Sequence, residues 1–394
     1  MAWPAFRSAL ETERCAAKVV SPSVSDAIGS LAPASKPKML KVDNMDIWDS
    51  REFDDHEQVC VFTDEEVGLR CIVAIHSTKL GPACGGTRFK PYHTDLHALE
   101  DALRLSRAMS YKSALAGLPV GGGKSVIIGD PGAIKSRELL HSYGRFINRI
   151  GRTFATGEDV GMSVADVETI AEVSPYMAGI SANSGDPSIP TAIGVIHGLR
   201  AVAKWKFGQD GFRNMRAAVQ GLGAVGWGVA KQLHAEGAEL TVADVREDVV
   251  AAAVAEFGAK AVSPSDIHRM DVDLYVPCAL GGVVTERSAL EICAKAVAGA
   301  ANNQLASPSA GEILAERGIL FGPDYVLNAG GIISGMPALN TIPGHEKAKV
   351  LPLDQSLAAI YDRLLQIFGR AEAAGKTPET AAEEMAREII GHKA

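Results

Sequence analysis

The stretch RAAVQGLGAVGWGVAKQLHAEGAELTVAD, Arg216 to Asp244, decides the fold of this chain. Arg216 to Val219 reads as a short apolar strand. Gly221-Leu222-Gly223-Ala224-Val225-Gly226 follows, then an amphipathic helical pattern to about Glu236. The next strand, Leu240 to Ala243, ends at Asp244, twenty-three residues after Gly221. A G-x-G-x-x-G run alone is a weak signal. Between a strand and a helix, with an acid at this distance, it marks a dinucleotide-binding unit. Gly221, Gly223 and Gly226 permit a tight turn and close approach to a pyrophosphate, which would rest on the helix N-terminus opened by Ala224 and Val225. Asp244 would accept hydrogen bonds from the adenosine ribose and repel a 2′-phosphate. That favours NAD, while Arg246 nearby leaves NADP open.

Downstream, Val272–Val276, Ala296–Ala298 and Ile319–Phe321 are candidate strands, alternating with helical patterns at Glu286–Ala294 and Gly311–Arg317. Such alternation implies a parallel sheet covered on both faces, with ligands at the carboxyl ends of its strands. Ala301-Asn302-Asn303 and Asn328-Ala329-Gly330-Gly331 would then lie near the nicotinamide. Plain asparagine or glycine turns are the alternative. Pro190-Thr191-Ala192 opens an apolar helix on the upstream side. The tail carries Leu357, Ile360, Leu364 and Phe368 at helical spacing, then a helix opened by Thr377-Pro378. These helices would pack back on the first domain or form a subunit interface.

A second informative stretch is Met109 to Gly129, MSYKSALAGLPVGGGKSVIIG. A helical pattern through Leu96, Leu99, Leu103 and Met109 starts at Thr94-Asp95 and brings Lys112 near its end. Ser125 to Ile128 reads as a buried strand, so Lys124 sits at a strand mouth with a glycine loop between the two lysines. Two ammonium groups sharing a pocket would depress one pKa, and such a lysine can act as a base near neutral pH. The plainer alternatives are a Lys112 that offsets its helix end and a solvated Lys124. The P-loop pattern fails, because it requires glycine where this chain has Leu118. Further on, Thr156-Gly157-Glu158-Asp159-Val160-Gly161 precedes Ser163, the better N-cap for the next helix. Asp159 is therefore left without an evident structural task and stands as a site candidate.

Composition bounds the function class. The chain has 394 residues, 47% apolar and 22% charged, with formal net charge −8. That suits two or three soluble domains and argues against a nucleic-acid surface. No apolar stretch reaches membrane-spanning length. Six scattered cysteines without a C-x-x-C pair suggest a reducing compartment and no structural zinc. A secretory signal is not evident, so a cytoplasmic location is expected. Residues 1–44 mix Ser, Pro, Ala and Lys without a period and read as a flexible extension, with a transit peptide as the alternative. The expected organisation is α/β, with two domains and a cleft between them, the second a Rossmann-type doubly wound parallel sheet. Residues 45–185 form the substrate-binding and catalytic domain, 186–340 the NAD domain, and 341–394 the C-terminal helices.

Taken together, several motifs resemble the glutamate/leucine/phenylalanine/valine dehydrogenase family, on its leucine/phenylalanine branch. They are Gly81-Pro-Ala-Cys-Gly-Gly-Thr-Arg88, Met109-Ser-Tyr-Lys112, Gly121-Gly-Gly-Lys124, Gly157-Glu-Asp-Val-Gly161, Gly221-x-Gly-x-x-Gly226, Gly299-Ala-Ala-Asn-Asn303 and Asn328-Ala-Gly-Gly331. They fall in family order over about residues 45 to 394. The resemblance implies NAD-dependent oxidative deamination of an L-amino acid to a 2-oxo acid and ammonia, run reversibly by a homo-oligomer without a metal. By carry-over Lys112 would bind the α-carboxylate. Lys124, with a pKa lowered by Lys112 and the closed cleft, would activate water, and Asp159 would shuttle protons. Gly85 would line the substrate pocket. Asn303 would help orient the substrate, and Asn302 and Thr191 would join the cofactor contacts.

Glutamate enzymes of the family carry a lysine where this chain has Cys84, so glutamate is disfavoured. The pocket positions Cys84, Gly157, Ala178 and Gly335, beside Ile332, are slim. They leave room for a side chain as large as phenylalanine, with overlap among leucine, methionine and phenylalanine expected. Two other readings stay open. A dehydrogenase of another small substrate class would need a catalytic histidine beside an arginine, which is not evident, and a non-catalytic NAD sensor would have lost one of Lys112, Lys124 and Asp159.

Overall fold

In the computed structural model, which describes residues 47–179, 186–346 and 350–391, two six-stranded sheets organise the chain. The extension expected over 1–44 lies outside the described residues. The first sheet is built from β1 (Gln58–Asp64), β2 (Leu69–Ser77), β3 (Ala83–Cys84) and β4 (Thr87–Lys90). After helix α1 (Asp95–Leu115) come β5 (Gly121–Ile128), α2 (Pro131–Ile134), α3 (Arg137–Ile150) and β6 (Phe154–Ala155). Its order is β1-β2-β5-β3-β6, with β4 also paired to β5. The β1–β2 and β2–β5 pairs are antiparallel and the rest parallel. Helix α1 begins where the Thr94 side chain accepts the His97 N–H, and α3 where Ser136 accepts the Leu139 N–H.

The glycines before Lys124 are not a loop. The sequence places a loop there because glycine offers nothing to pack in a sheet and is depleted in strands. In the structure Gly121–Gly123 already belong to β5, and Lys124 lies in mid-strand rather than at its mouth. The missing side chains admit a helix, not a ligand. A Cβ on Gly122 would overlap the Ser110 N–H and the Ser106 carbonyl of α1. Because side chains alternate along a strand, Lys124 shares a face with Gly122 and Val126. Val126 packs with Ala98, Ala102 and Leu103 of α1, so α1 covers the face from which Lys124 projects.

The second half follows α4 (Val164–Ala171) and α5 (Ser188–Phe207), the latter starting two residues ahead of Pro190. Its elements are β7 (Arg216–Gln220), α6 (Ala224–Ala235), β8 (Glu239–Ala243), α7 (Glu247–Phe257), β9 (Lys260–Ala261), β10 (Leu274–Pro277), α8 (Glu286–Glu291), β11 (Ala296–Val297), α9 (Pro308–Glu316) and β12 (Leu320–Phe321). Every strand pair is parallel, in the order β12-β11-β10-β7-β8-β9. That is the doubly wound arrangement, with its reversal of strand order between β7 and β10.

The chain ends in α10 (Asp324–Leu327), α11 (Gly330–Leu339), α12 (Leu353–Ala374) and α13 (Pro378–Ile390). One apolar cluster joins Tyr111 and Leu115 of α1 to Leu199 of α5, Val219 of β7, Leu364 of α12 and Met385 of α13. Polar ties reinforce it. Arg363 Nε donates to the Leu115 carbonyl at 3.0 Å, and Arg387 pairs with Asp54 at 2.8 Å. Among the described residues no helix is long and apolar enough to cross a membrane.

Candidate active site

Lys124 is met from above by the loop that follows β6. Backbone hydrogen bonds carry that loop along the segment 85–89: Gly85 N–H to the Ala155 carbonyl at 3.2 Å, Thr87 N–H to Gly157 at 2.8 Å and Phe89 N–H to Val160 at 2.8 Å. Beneath them the Thr87 hydroxyl bonds the Thr156 and Tyr143 hydroxyls at 2.7 and 2.6 Å. This ladder delivers Asp159 over β5, where its Oδ2 accepts a hydrogen bond from Lys124 Nζ. Asp159 Oδ1 accepts the Val160 N–H at 2.6 Å and faces the Arg88 guanidinium at 3.6 Å. Asp159 thus has one local bond after all, while Ser163 and Asp166 cap α4 reciprocally.

The lysine side chain is 7% exposed. Burial first, and the Arg88 charge second, push its pKa down to about 7. Lys112 acts in the same direction more weakly, while Asp101 and Cys84 oppose. Both expected causes, burial and Lys112, therefore act in the expected direction, and Arg88 adds a larger charge that the sequence reading did not include. On α1, Asp101 and Lys112 are eleven residues apart, about three turns and about 16 Å, so they flank Lys124 along one helix face. Burial lowers the Lys112 pKa, and Asp324 at the start of α10 opposes it from the other half of the molecule. Asp324 accepts the Gln304 N–H at 2.6 Å, yet burial still raises its carboxyl pKa.

Of the slim positions, Cys84 lies closest to this centre in the fold, on β3 beside β5. Cys84 pairs with Gly122 of β5 and Ala155 of β6, and burial pushes its thiol up to about 12, so it is neutral. A Cβ on Gly157 would stand 2.7 Å from the Ala178 carbonyl, so these two are neighbours. Cys84, Ala178 and Ile332 all border the apolar cluster shared by the two halves. Gly335 has open space where a Cβ would point. Gly85 lies directly against the Gly123 carbonyl and admits no side chain.

The glycine turn after β7 forms a separate cradle. Gly221 has φ of +94°, and a Cβ on Gly226 would overlap the Gly221 carbonyl, so turn and helix are in contact. At Gly223, the N-cap of α6, a Cβ would meet nothing within 4 Å, and no side chain caps the helix. An open space facing uncapped N–H groups fits a phosphate. Asp244 Oδ2 accepts the Leu222 N–H at 2.7 Å and Oδ1 the Arg246 N–H at 2.9 Å. Burial alone would raise its pKa, but these bonds and the Arg246 charge hold it below the usual carboxylate range.

Across the sheet top, Asn328 Nδ2 donates to Asn302 Oδ1 at 2.8 Å and to the Ala300 carbonyl at 3.1 Å, leaving its own Oδ1 buried and without a partner. Asn302 and Asn303 are exposed, and Asn303 sits at φ of +51°, a region asparagine tolerates. The Thr191 hydroxyl donates to the Pro187 carbonyl at 2.7 Å, where α5 meets the Gly330-Gly331 start of α11. The expected site residues are therefore spread over both sheets and the helices α1, α5 and α11, and the Asp324 charge favours the charged form of Lys112. Among the described residues no cluster of His, Cys, Asp or Glu is placed to hold a metal ion.

Residues 56–179 match the Glu/Leu/Phe/Val dehydrogenase dimerisation domain, and residues 240–366 the Glutamate/Leucine/Phenylalanine/Valine dehydrogenase domain. The chain is 44% identical to leucine dehydrogenase of Geobacillus stearothermophilus, over 88% of its own length and 94% of that enzyme. It is 45% identical to valine dehydrogenase of Streptomyces albus, over 84% and 92%. The chain belongs to the glutamate/leucine/phenylalanine/valine dehydrogenase family.

Among solved structures, L-tryptophan dehydrogenase from Nostoc punctiforme superposes with a TM-score of 0.76 at 39% identity, covering 85% of this chain and 96% of that one. The hetero-hexameric glutamate dehydrogenase of Thermus thermophilus, at 22% identity and TM-score 0.65 over 85% and 88%, shares the fold. This amino acid dehydrogenase is thus an oxidoreductase with the two-domain α/β architecture of its relatives. Two of its charged residues escape a sequence reading. Arg88 closes a quoted motif but has no role there, and Asp101 is one of three carboxylates on α1. The available signal for Asp101 was its place between Ala98, Ala102 and Leu105 on the buried face of that helix.

Proposed function

We propose that this dehydrogenase oxidatively deaminates an apolar L-amino acid with NAD as acceptor, and that Lys124 and Asp159 do the proton chemistry. The observation that carries this reading is the partly buried hydrogen bond between them beside the Arg88 guanidinium. Lys112 holds the substrate α-carboxylate at one end of α1. Lys124, half deprotonated near pH 7, takes a proton from the water that attacks the substrate imine. Asp159, already bonded to the lysine, relays protons to the departing amine. A cleft between the domains keeps bulk water from that carbon.

NAD supplies the two-electron acceptor for the substrate Cα–H when bound. Gly221, Gly223, Ala224, Val225 and Gly226 cradle its pyrophosphate, and Asp244 meets the adenosine ribose. Thr191 and Asn302 border the nicotinamide, where the partnerless Asn328 Oδ1 offers an acceptor to a carboxamide. Asn303 orients the substrate. Gly85, Cys84, Gly157, Ile332 and Gly335 surround the side chain. The neutral Cys84 thiol cannot compensate a buried carboxylate, which disfavours glutamate. Residues 45–185 take the substrate, 186–340 the cofactor, and 341–394 brace the two. The match of residues 56–179 to the family's dimerisation domain supports a homo-oligomer. Five free cysteines among the described residues support a cytoplasmic location.

The test is NADH formation at alkaline pH with leucine, valine, methionine, phenylalanine, tryptophan and glutamate. Turnover of apolar members without glutamate is the expected result, and phenylalanine above leucine would agree with the open space at Gly335. Lys124→Ala should lose about 10²–10⁴ in kcat while still binding NADH. Near-wild-type turnover in that variant refutes the assignment.

A further inference from the structure

Arg88 is held more firmly than a surface arginine would be. It leaves β4 beside α1, 18% exposed, and its Nη1 donates to Asp101 Oδ2 at 3.0 Å. Asp101 is itself fixed from three sides. The Tyr92 hydroxyl reaches Oδ2 at 2.7 Å, Arg104 reaches Oδ1 at 2.7 Å, and Lys90 stands at 3.8 Å with its ammonium over the Tyr92 ring. Burial alone would raise the Asp101 carboxyl pKa, but the Tyr92 hydroxyl and the Arg88 and Arg104 charges outweigh it, so the group stays ionised. The other terminal nitrogen, Nη2, stands 3.6 Å from Asp159 Oδ1. Four charged groups thus run in series, Asp101–Arg88–Asp159–Lys124, each member alternating in sign.

We propose that Arg88, gripped by Asp101, is a positioning residue that holds the Asp159 carboxylate against Lys124. The inference rests on the catalytic reading given above and deepens it. A guanidinium is suited to the task because its planar fork engages two carboxylates at once, which a lysine ammonium on a flexible stem does not. Its fixed charge has a second effect. The groups facing Lys124 are Asp159 from the loop after β6, Arg88 from β4, Cys84 from β3, and Asp101 and Lys112 from α1. Of the two cations in that set Arg88 opposes protonation of Lys124 more strongly. Arg88 therefore keeps the base available near neutral pH while it orients the proton relay.

Arg88→Met and Arg88→Lys separate the two effects. With a good amino acid substrate and saturating NAD, Arg88→Met should lower kcat about tenfold or more. It should also move the acidic limb of the pH profile of kcat/KM upward by about one pH unit, because Lys124 gains protons more easily without the neighbouring cation. Arg88→Lys keeps the charge and loses the double grip, so its limb should stay in place while kcat falls and the amino acid KM changes less than about twofold. A merely structural arginine would lower the melting temperature in both variants and leave both limbs where they are, which overturns the inference. Should Arg88→Met fail to fold, Arg88→Lys decides alone: wild-type kcat rejects the positioning role. Lys124→Ala is the parallel arm. If it turns over normally the catalytic reading itself falls; if it is inactive while Arg88→Met keeps the wild-type kcat and limb, only the Arg88 inference falls.

Discussion

Gly86→Ala should uncouple the proposed catalytic pair, Lys124 and Asp159, without replacing either member. Gly86 lies between β3 and β4, and a Cβ built there would stand 2.5 Å from the Glu158 carbonyl oxygen and 3.0 Å from Asp159 Cβ. Ordinary contact begins at 3.4 Å, so the 158–159 backbone must withdraw by about 0.9 Å to accommodate one methyl group. That segment is pinned on both sides by the Thr87–Gly157 and Phe89–Val160 hydrogen bonds, so it cannot slide along β4. The free direction is away from the sheet, which lifts Asp159 off Lys124 and Arg88. Overpacking of this kind costs about 1–3 kcal/mol of stability. A displacement near 1 Å in a catalytic group costs about 100-fold in rate, or about 2.7 kcal/mol in barrier. The assay is kcat with saturating NAD and amino acid, alongside a melting curve and NADH binding. Because Gly221–Gly226 lies on the other sheet, NADH affinity should be unchanged. A folded Gly86→Ala enzyme with kcat within about threefold of wild type would show that the Asp159 position does not limit the reaction, and the argument would fail.

Other consequences follow from the same geometry. The kcat/KM of the wild-type enzyme should rise tenfold per pH unit through the acid range and level off above about 7, because only unprotonated Lys124 can accept a proton; a limb near lysine's ordinary 10.5 would refute its assignment as base. Asp54 accepts hydrogen bonds from Tyr111 at 2.7 Å and His76 at 3.1 Å and pairs with Arg387, and these partners outweigh burial and hold its carboxyl well below the usual range. Its stabilisation is therefore complete above the unfolded carboxylate pKa and lost as pH falls through the lower folded value, so Asp54→Asn should cost about 3 kcal/mol at pH 7 in chemical denaturation and lose that difference progressively below about pH 4. Gly335→Ala meets no atom within 4 Å and replaces glycine inside α11 by the better helix former, so the melting temperature should hold or rise, while kcat/KM shifts from the largest accepted amino acid toward smaller ones by about 10-fold or more; an unchanged ranking would remove Gly335 from the side-chain pocket.

The parts of this structure legible in the sequence are those set by neighbours along the chain. The β7–α6–β8 unit could be read because its strand, glycines, helix and Asp244 lie within one short span, and the Thr94, Ser136 and Ser163 caps announce their helices locally. Gly121–Gly123 could not be read as a strand, since three residues without side chains show no alternation. Their strand state is imposed by β2, β3 and the covering helix α1. Arg88 and Asp101 escaped for a related reason. Their value depends on β4 running beside the 157–160 loop and on α1 crossing β5, contacts no local pattern encodes. The tie between Lys112 and Asp324 joins residues of different halves and is visible only once α1 and α10 are packed together.

The arrangement also separates two tasks that a sequence motif merges. Charge is confined to the centre and its flanks: Lys112 and Asp324 at one end of α1, Lys124 and Asp159 in the middle, Arg88 and Asp101 at the other end. In the proposed function these groups address what every α-amino acid shares, its carboxylate and its amine. The proposed side-chain positions Cys84, Gly157, Ile332 and Gly335 carry no charge, and the one titratable member, Cys84, is held neutral by burial. Substrate preference can then drift through small apolar substitutions, each worth about 1–3 kcal/mol, while the base and its relay stay fixed. Relatives named for leucine, valine and tryptophan dehydrogenases, at 39–45% identity to this chain, agree with that proposed division. It also places the constraint on Gly122 and Gly86, whose missing side chains set the spacing between the charged elements.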